Sequence, residues 1–271
     1  MKPLNDHTIL YDDQCPLCDR YTSGFVNAGM LDKNGRREFS KAGALLDRID
    51  RERACDEIAL LNRRTGEVTY GIDSLMKILA NSFPLLKPLF SNAVFYAAMK
   101  KLYAFISYNR KVIIPGRASD GIVCEPTFKV SYRTAYLVFA WIATAAVLHV
   151  SLRTLTPLTA ASSFGRELLI CGGQIIFQAA VVGLNHKDQT FNYLGNLMTI
   201  SFAGSLALMI LLPVAKAGFF PILTLACFGV VVSLMLLEHM RRIRLLRLTS
   251  ILTVTWILYW LQVLACMYFL P

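Results

Sequence analysis

Apolar and polar positions divide the chain into two halves that follow different rules. Up to about residue 128 the apolar runs are short and separated by charge, as in a domain that alternates strands with amphipathic helices. Thr8 to Tyr11 is predicted as a short buried strand. The Asp12-Asp-Gln turn then delivers Cys15 to a helix running through Arg20 and Phe25 towards Gly29. Further along, Arg37 to Ser40 reads as a second strand, Ala42 to Ile49 as a helix, Glu57 to Asn62 as a third strand and Glu67 to Tyr70 as a fourth, after the Arg64-Thr-Gly66 turn. Gly71 opens a helix to about Asn81, with Asp73 or Ser74 as its cap. Leu89 to Tyr108 is a long apolar helix interrupted by Lys100-Lys101. Its plainer reading is core packing within the domain. The other reading rests its aromatic face on a membrane, with the basic residues after it drawn to anionic lipid at about 1 kcal/mol each.

Beyond residue 129 the pattern changes to five apolar stretches: about Ala135 to Leu152, Glu167 to Leu184, Leu194 to Pro213, Ala217 to Leu237 and Ser250 to Leu270. Each is near the roughly 20 residues a helix needs to cross a bilayer. The expectation is a soluble α/β domain over 1–128, followed by an all-α transmembrane helix bundle of about five helices over 129–271. Charge supports the division. Residues 1–133 hold twenty Lys and Arg against fifteen Asp and Glu, and the remainder eight against three, so each half is net +5 but only the first has the charge density of a soluble surface.

Arginine placement sets the expected topology. Lys129 and Arg133 precede the first stretch, and four arginines lie in the Glu238 to Arg247 segment between the fourth and fifth. If both groups are cytoplasmic, an even number of helices separates them, which places the N-terminal domain inside and the C-terminus on the opposite side. Met1-Lys-Pro-Leu-Asn-Asp-His-Thr lacks the basic start, apolar core and cleavage site of a secretory signal, so the first domain is expected to stay where it is made. That side is reducing, and seven cysteines at irregular spacing then point away from a disulfide scaffold, leaving a close pair as catalytic or metal-binding.

The close pair is Cys15-Pro-Leu-Cys18. Two cysteines at this spacing can hold a metal, exchange a disulfide or fill space. A helix N-terminus offers unpaired N–H groups and the positive end of the dipole, both of which stabilise a thiolate. Cys15 would then be the exposed nucleophile and Cys18, one turn on and facing inward, the resolving thiol. Pro16 suits an early helix position, which has no N–H to lose. Asp12 is either a proton acceptor for Cys18 or a turn residue that caps the helix. A structural zinc wants four ligands, and beyond the pair only scattered His7, Cys55 and Cys124 are at hand; no metal is expected.

In the second apolar stretch Cys171, Gly172, Gly173, Gln174 and Gln178 lie within two turns, with both glutamines on one helix face. The plainer reading is close helix approach at the glycines and hydrogen bonds across helices. The functional reading is a polar pocket for a quinone, closed by the Asn185 to Asn192 loop and Asn196. Cys171, Cys227 and Cys266 stand singly in three stretches, with packing as the default.

Ile9-Leu-Tyr-Asp12 followed by Cys15-Pro-Leu-Cys18 resembles the DCC family of predicted thiol-disulfide oxidoreductases, also called DUF393 or YuxK-like. Gly71-Ile-Asp-Ser-Leu75 is similar to the family's "G-x-D-A-L" helix, Tyr103 through Asn109-Arg110 to its closing "Y…N-R" helix, and Cys124 to a cysteine often found shortly after. The resemblance covers roughly residues 7–126 and implies a thioredoxin-like fold, with Asp12, Cys15 and Cys18 as the name-giving triad. The predicted order of strand, helix, strand, helix, hairpin and helix is compatible with it. Two departures stand out. Asp13 occupies the place of a usual glycine, and Arg51 to Asp56, where thioredoxins carry a cis-proline, has no proline. The implied function is a membrane-anchored oxidoreductase whose partners are a thiol or disulfide substrate and membrane lipids, with no nucleic acid and no cofactor beyond the quinone considered above. The alternative is a transporter or a quinone- or lipid-binding protein with a regulatory or metal-binding CxxC domain.

Overall fold

The computed structural model describes residues 2–116, 124–153, 162–217 and 221–269, with side chains for all of these except 213–217, 221, 224 and 266–269. The chain is mostly helical and divides into two compact units, Met1–Tyr132 and Arg133–Pro271.

The first unit is built on a mixed sheet of four strands, β1 (His7–Tyr11), β2 (Arg36–Glu38), β3 (Ala59–Asn62) and β4 (Val68–Tyr70), in the order β2-β1-β3-β4. β1 is parallel to β2 and antiparallel to β3, and β3 is antiparallel to β4. All five residues of β1 are buried, because the strand is central and both faces are covered. Its period of two sends Ile9 and Tyr11 into one apolar cluster with Cys15, Cys18, Ile58, Leu60 and Ile78, and Leu10 into a second with Phe39, Leu46, Ala59 and Cys124. Parallel β1 and β2 need a crossover, supplied by α1 (Pro16–Asn27). Arg36 ties the crossover down: its guanidinium lies 4.3 Å from the Tyr11 ring centroid and pairs with Asp19 of α1. The β3–β4 hairpin turns on Asn62, whose Oδ1 accepts from the N–H groups of Arg64 and Thr65.

Several predicted elements differ in detail. Ala42 to Ile49 is a 3₁₀ turn over Gly43–Arg48, and Arg51–Asp56 is a short helix, α2, capped by Asp50. In α3 (Gly71–Ser82) neither Asp73 nor Ser74 caps; Asp73 accepts from the Tyr96 hydroxyl and Ser74 donates to the Thr69 carbonyl. Gly71 has φ +60°, with its N–H on the Ile58 carbonyl, a conformation that favours glycine at this strand-to-helix joint. The single apolar helix expected over Leu89 to Tyr108 is broken into α4 (Lys87–Phe90) and α5 (Ala93–Ile113), because Asn92 takes an extended conformation and caps the Phe95 N–H. Nor is α5 wholly core: Val94, Leu102 and Ile106 are exposed.

The second unit carries α6 (Val130–Leu152, which starts in the first unit), α7 (Phe164–Asn185), α8 (Thr190–Ala217), α9 (Pro221–Leu245) and α10 (Ile251–Phe269). Among the described residues three segments are long and apolar enough to cross a membrane: Val130–Leu152, Phe164–Asn185 and Lys187–Leu212. The arginine segment differs from its expected form. α9 continues to Leu245, so Arg241, Arg242 and Arg244 are helical, and Glu238 pairs with Arg241 and Arg242 at i,i+3 and i,i+4. That spacing places opposite charges on one face and extends the helix past its apolar part.

Candidate functional site

Cys15 is the N-cap of α1: its backbone is extended and its Sγ accepts from the Cys18 N–H at 3.3 Å. Pro16 takes the first helical position as its fixed φ predicts. Both cysteines are free thiols. The Cys18 thiol, hydrogen-bonded to Cys15, is the main influence lowering the Cys15 pKa to about 7, against burial and with help from the Cys18 N–H and Arg110. The same hydrogen bond, with burial, pushes Cys18 well above its ordinary value. A thiol held lower than its neighbour at the start of a helix suits a nucleophile with a resolving partner beside it.

The expected exposure of Cys15 is corrected. Its accessible surface is 2 % of the free residue's and that of Cys18 is 7 %. The backbone after α5 returns to this loop: a Cβ added to Gly116 would lie 1.5 Å from the Gln14 carbonyl oxygen and 3.4 Å from Pro16 Cδ. A chain laid this closely on the turn before α1 was not readable from the spacing of the two cysteines.

Asp12 does not cap α1. Its Oδ1 accepts from the Gln14 N–H at 3.0 Å, closing the turn, and its Oδ2 accepts from Arg110 Nη2 at 3.1 Å. Both side chains of this ion pair are buried. Arg110 Nη2 also donates to the Cys55 carbonyl at 2.8 Å. Asp13, where the resemblance puts a glycine, is not strained: among the described residues the positive-φ residues other than glycine are Asp6 and Arg247, and Asp13 instead accepts the Ser40 N–H at 3.2 Å. Arg110 had entered the sequence reading only through its motif; its distance of 98 residues from Asp12 hid the pairing.

Cys55 and Cys124, considered above as scattered ligands, are joined by a disulfide on the opposite face of the sheet from the CxxC pair. The irregular spacing of the cysteines had argued against such a bond. Among the described residues no group of three or more His, Cys, Asp or Glu is placed to hold a metal.

In the second unit the polar residues of α7 do come together. Gln178 Oε1 accepts from the Tyr193 hydroxyl at 2.8 Å and meets Thr255 at 3.4 Å; Tyr193 also meets His239 Nε2 at 3.2 Å, and Thr253 meets His239 Nδ1 at 3.4 Å. Gln174, with its amide oxygen turned to the indoles, accepts from Trp256 at 2.8 Å and Trp260 at 3.2 Å. Gly172 lets the Trp141 ring approach and Gly173 the Tyr259 hydroxyl. Cys171 is a buried free thiol; the side chain of Cys266 lies outside the described residues. Asn196, expected to close a pocket, instead accepts from Arg242 at 3.0 Å. Comparison of the chain with family models, with curated proteins and with solved structures gives no match.

Proposed function

We propose that the chain is a membrane-anchored thiol-disulfide oxidoreductase of the DCC kind, working through Cys15 and Cys18 in a thioredoxin-like domain. The observation that carries the reading is the free Cys15 thiol at the N-cap of α1, its Sγ 3.3 Å from the Cys18 N–H, a setting that lowers its pKa. The order strand, helix, strand, hairpin, helix, with the cysteines at the end of β1, supports the fold assignment. In the forward direction the Cys15 thiolate attacks one sulfur of a substrate disulfide and expels the other as a thiolate. Cys18 then loses its proton and attacks Cys15 Sγ, which releases the second substrate thiolate and leaves a Cys15–Cys18 disulfide. The substrate gains two electrons and the protein loses two; a thiol reductant returns them.

Both cysteines are buried, so exchange with a substrate requires local opening around them. The five helices α6 to α10 serve as the anchor, in the proposed topology with the first unit cytoplasmic and the C-terminus opposite. A reporter fused after Pro271 that reads cytoplasmic would overturn that topology. The quinone- or lipid-site alternative has less support, because Gln174 and Gln178 already direct their polar atoms to neighbouring helices.

The test is dithiothreitol-dependent reduction of insulin by the full chain. Cys15→Ser is expected to abolish turnover and Cys18→Ser to trap a mixed disulfide at Cys15. Full turnover by both variants would end the proposal.

A further inference from the structure

Beside the dithiol lies a buried ion pair that the exchange steps do not use. Asp12 and Arg110 are 6 % and 5 % exposed, and each is held by more than the other. Asp12 Oδ1 is occupied by the Gln14 N–H, two residues into the turn that ends at Cys15. Arg110 reaches the Cys55 carbonyl with Nη2 and Ser107 Oγ with Nη1, the latter at 3.4 Å, while no partner for its Nε is found among the described residues. The guanidinium is thus fixed from α5 and the end of α2. Asp12 ties it to the turn before the motif, since the Asp12 carbonyl accepts the Cys15 N–H at 3.1 Å.

Both oxygens of the Asp12 carboxylate already accept hydrogen bonds, Oδ1 from the Gln14 N–H and Oδ2 from Arg110 Nη2. The guanidinium itself cannot lose its proton, so it is a fixed positive charge held on Asp12, whose carbonyl accepts the Cys15 N–H. The other titratable groups acting on the pair are Asp12 itself, Tyr21 of α1 and Tyr103 of α5, the two tyrosines kept protonated by burial.

We propose that Arg110 is the charge that holds the Cys15/Cys18 pair ready to react, and that Asp12 is a positioning residue that orients and partly offsets Arg110, not the base that takes the Cys18 proton. The inference rests on the dithiol reading of this site. It settles the choice left open for Asp12, because the two roles predict opposite responses. Removing Arg110 takes away positive charge and disfavours the thiolate. Removing the charge of Asp12 leaves Arg110 uncompensated and favours it.

The experiment follows iodoacetamide alkylation of Cys15 against pH in the reduced full chain in detergent, read by mass spectrometry of the Cys15 peptide. Arg110→Met should raise the midpoint by about one pH unit or more, which is about a tenfold loss of thiolate below it. Arg110→Lys should restore most of the shift, and Asp12→Asn should move the midpoint down. If Arg110→Met does not fold, the sign for Asp12→Asn decides alone. An Asp12→Asn midpoint that is unchanged or higher overturns the proposal, as does an unchanged midpoint accompanied by slow release of a Cys15 mixed disulfide, the behaviour of a lost base. Alkylation needs no turnover, so a chain that reduces no disulfide yet shows these shifts would sink the oxidoreductase reading and leave Arg110's role standing.

Discussion

The two units each bury a polar cluster, and the clusters differ in how completely they satisfy themselves. Around Gln178 in the second unit, Tyr193 bridges α7 and α9, Thr253 and Thr255 reach in from α10, and the Gln174 oxygen accepts two indole N–H groups. Each of these groups makes at least one hydrogen bond to another helix, as cross-helix adhesion in lipid requires. Around Cys15 in the first unit, two free thiols share a hydrogen bond beside a buried charge pair, and the Arg110 Nε has no partner among the described residues. Burial of polar groups is common to both. Reactivity is expected only where a proton and a charge are left unevenly shared.

The largest test of that contrast is chemical. With its pKa near 7 against an ordinary 9, Cys15 at pH 7 should hold roughly fifty-fold more thiolate than an unperturbed thiol and alkylate several-fold faster at equal access, the rest offset by the weaker nucleophilicity of a less basic thiolate. Below pH 7 its rate should fall about tenfold per pH unit, because the depressed value means the proton is regained only there. A midpoint near 9 would erase the distinction between the clusters. Next in size is Gly116→Val, where a branched side chain must be placed on the Gln14 carbonyl. A loss of about 3 kcal/mol, the upper end for overpacking, is expected in thermal unfolding, together with faster alkylation of Cys15 as the covering segment lifts.

Gln174→Leu tests the other side of the comparison. Two indole N–H groups lose their acceptor, so stability should drop by about 1–2 kcal/mol, with the Cys15 alkylation midpoint unchanged. A shift of that midpoint would mean that the second cluster takes part in the thiol chemistry. The smallest effect is reserved for Asp13→Gly. It removes the acceptor of the Ser40 N–H, and should cost about 0.5–1.5 kcal/mol with little change in reactivity.

What could be read from the sequence were the features written in consecutive residues. The strand ending at Tyr11, the helix that begins after Cys15, the β3–β4 hairpin and the apolar stretches that lie in α6 to α10 all rest on local spacing and stand close to their expected places, except that the helix expected to end at Leu237 continues to Leu245. What escaped depends on contacts between distant segments. Arg110 meets Asp12 across 98 residues, Cys55 meets Cys124 across 69, and Gly116 lies on Gln14 and Pro16, the two neighbours of Cys15, about a hundred residues further on. No periodicity encodes such meetings; they follow from the order in which the strands assemble. The break between α4 and α5 could have been read, since Ser91-Asn92 is a capping sequence set between apolar runs.

The disulfide between Cys55 and Cys124 changes how oxidation of this chain can be monitored. A bond between Cys15 and Cys18 closes a ring too small to alter the size of the denatured chain, whereas one spanning 69 residues ties back about a quarter of it. A mobility shift on a non-reducing gel therefore reports the wide ring and is blind to the narrow one. The state of the CxxC pair has to be counted by mass, thiol by thiol.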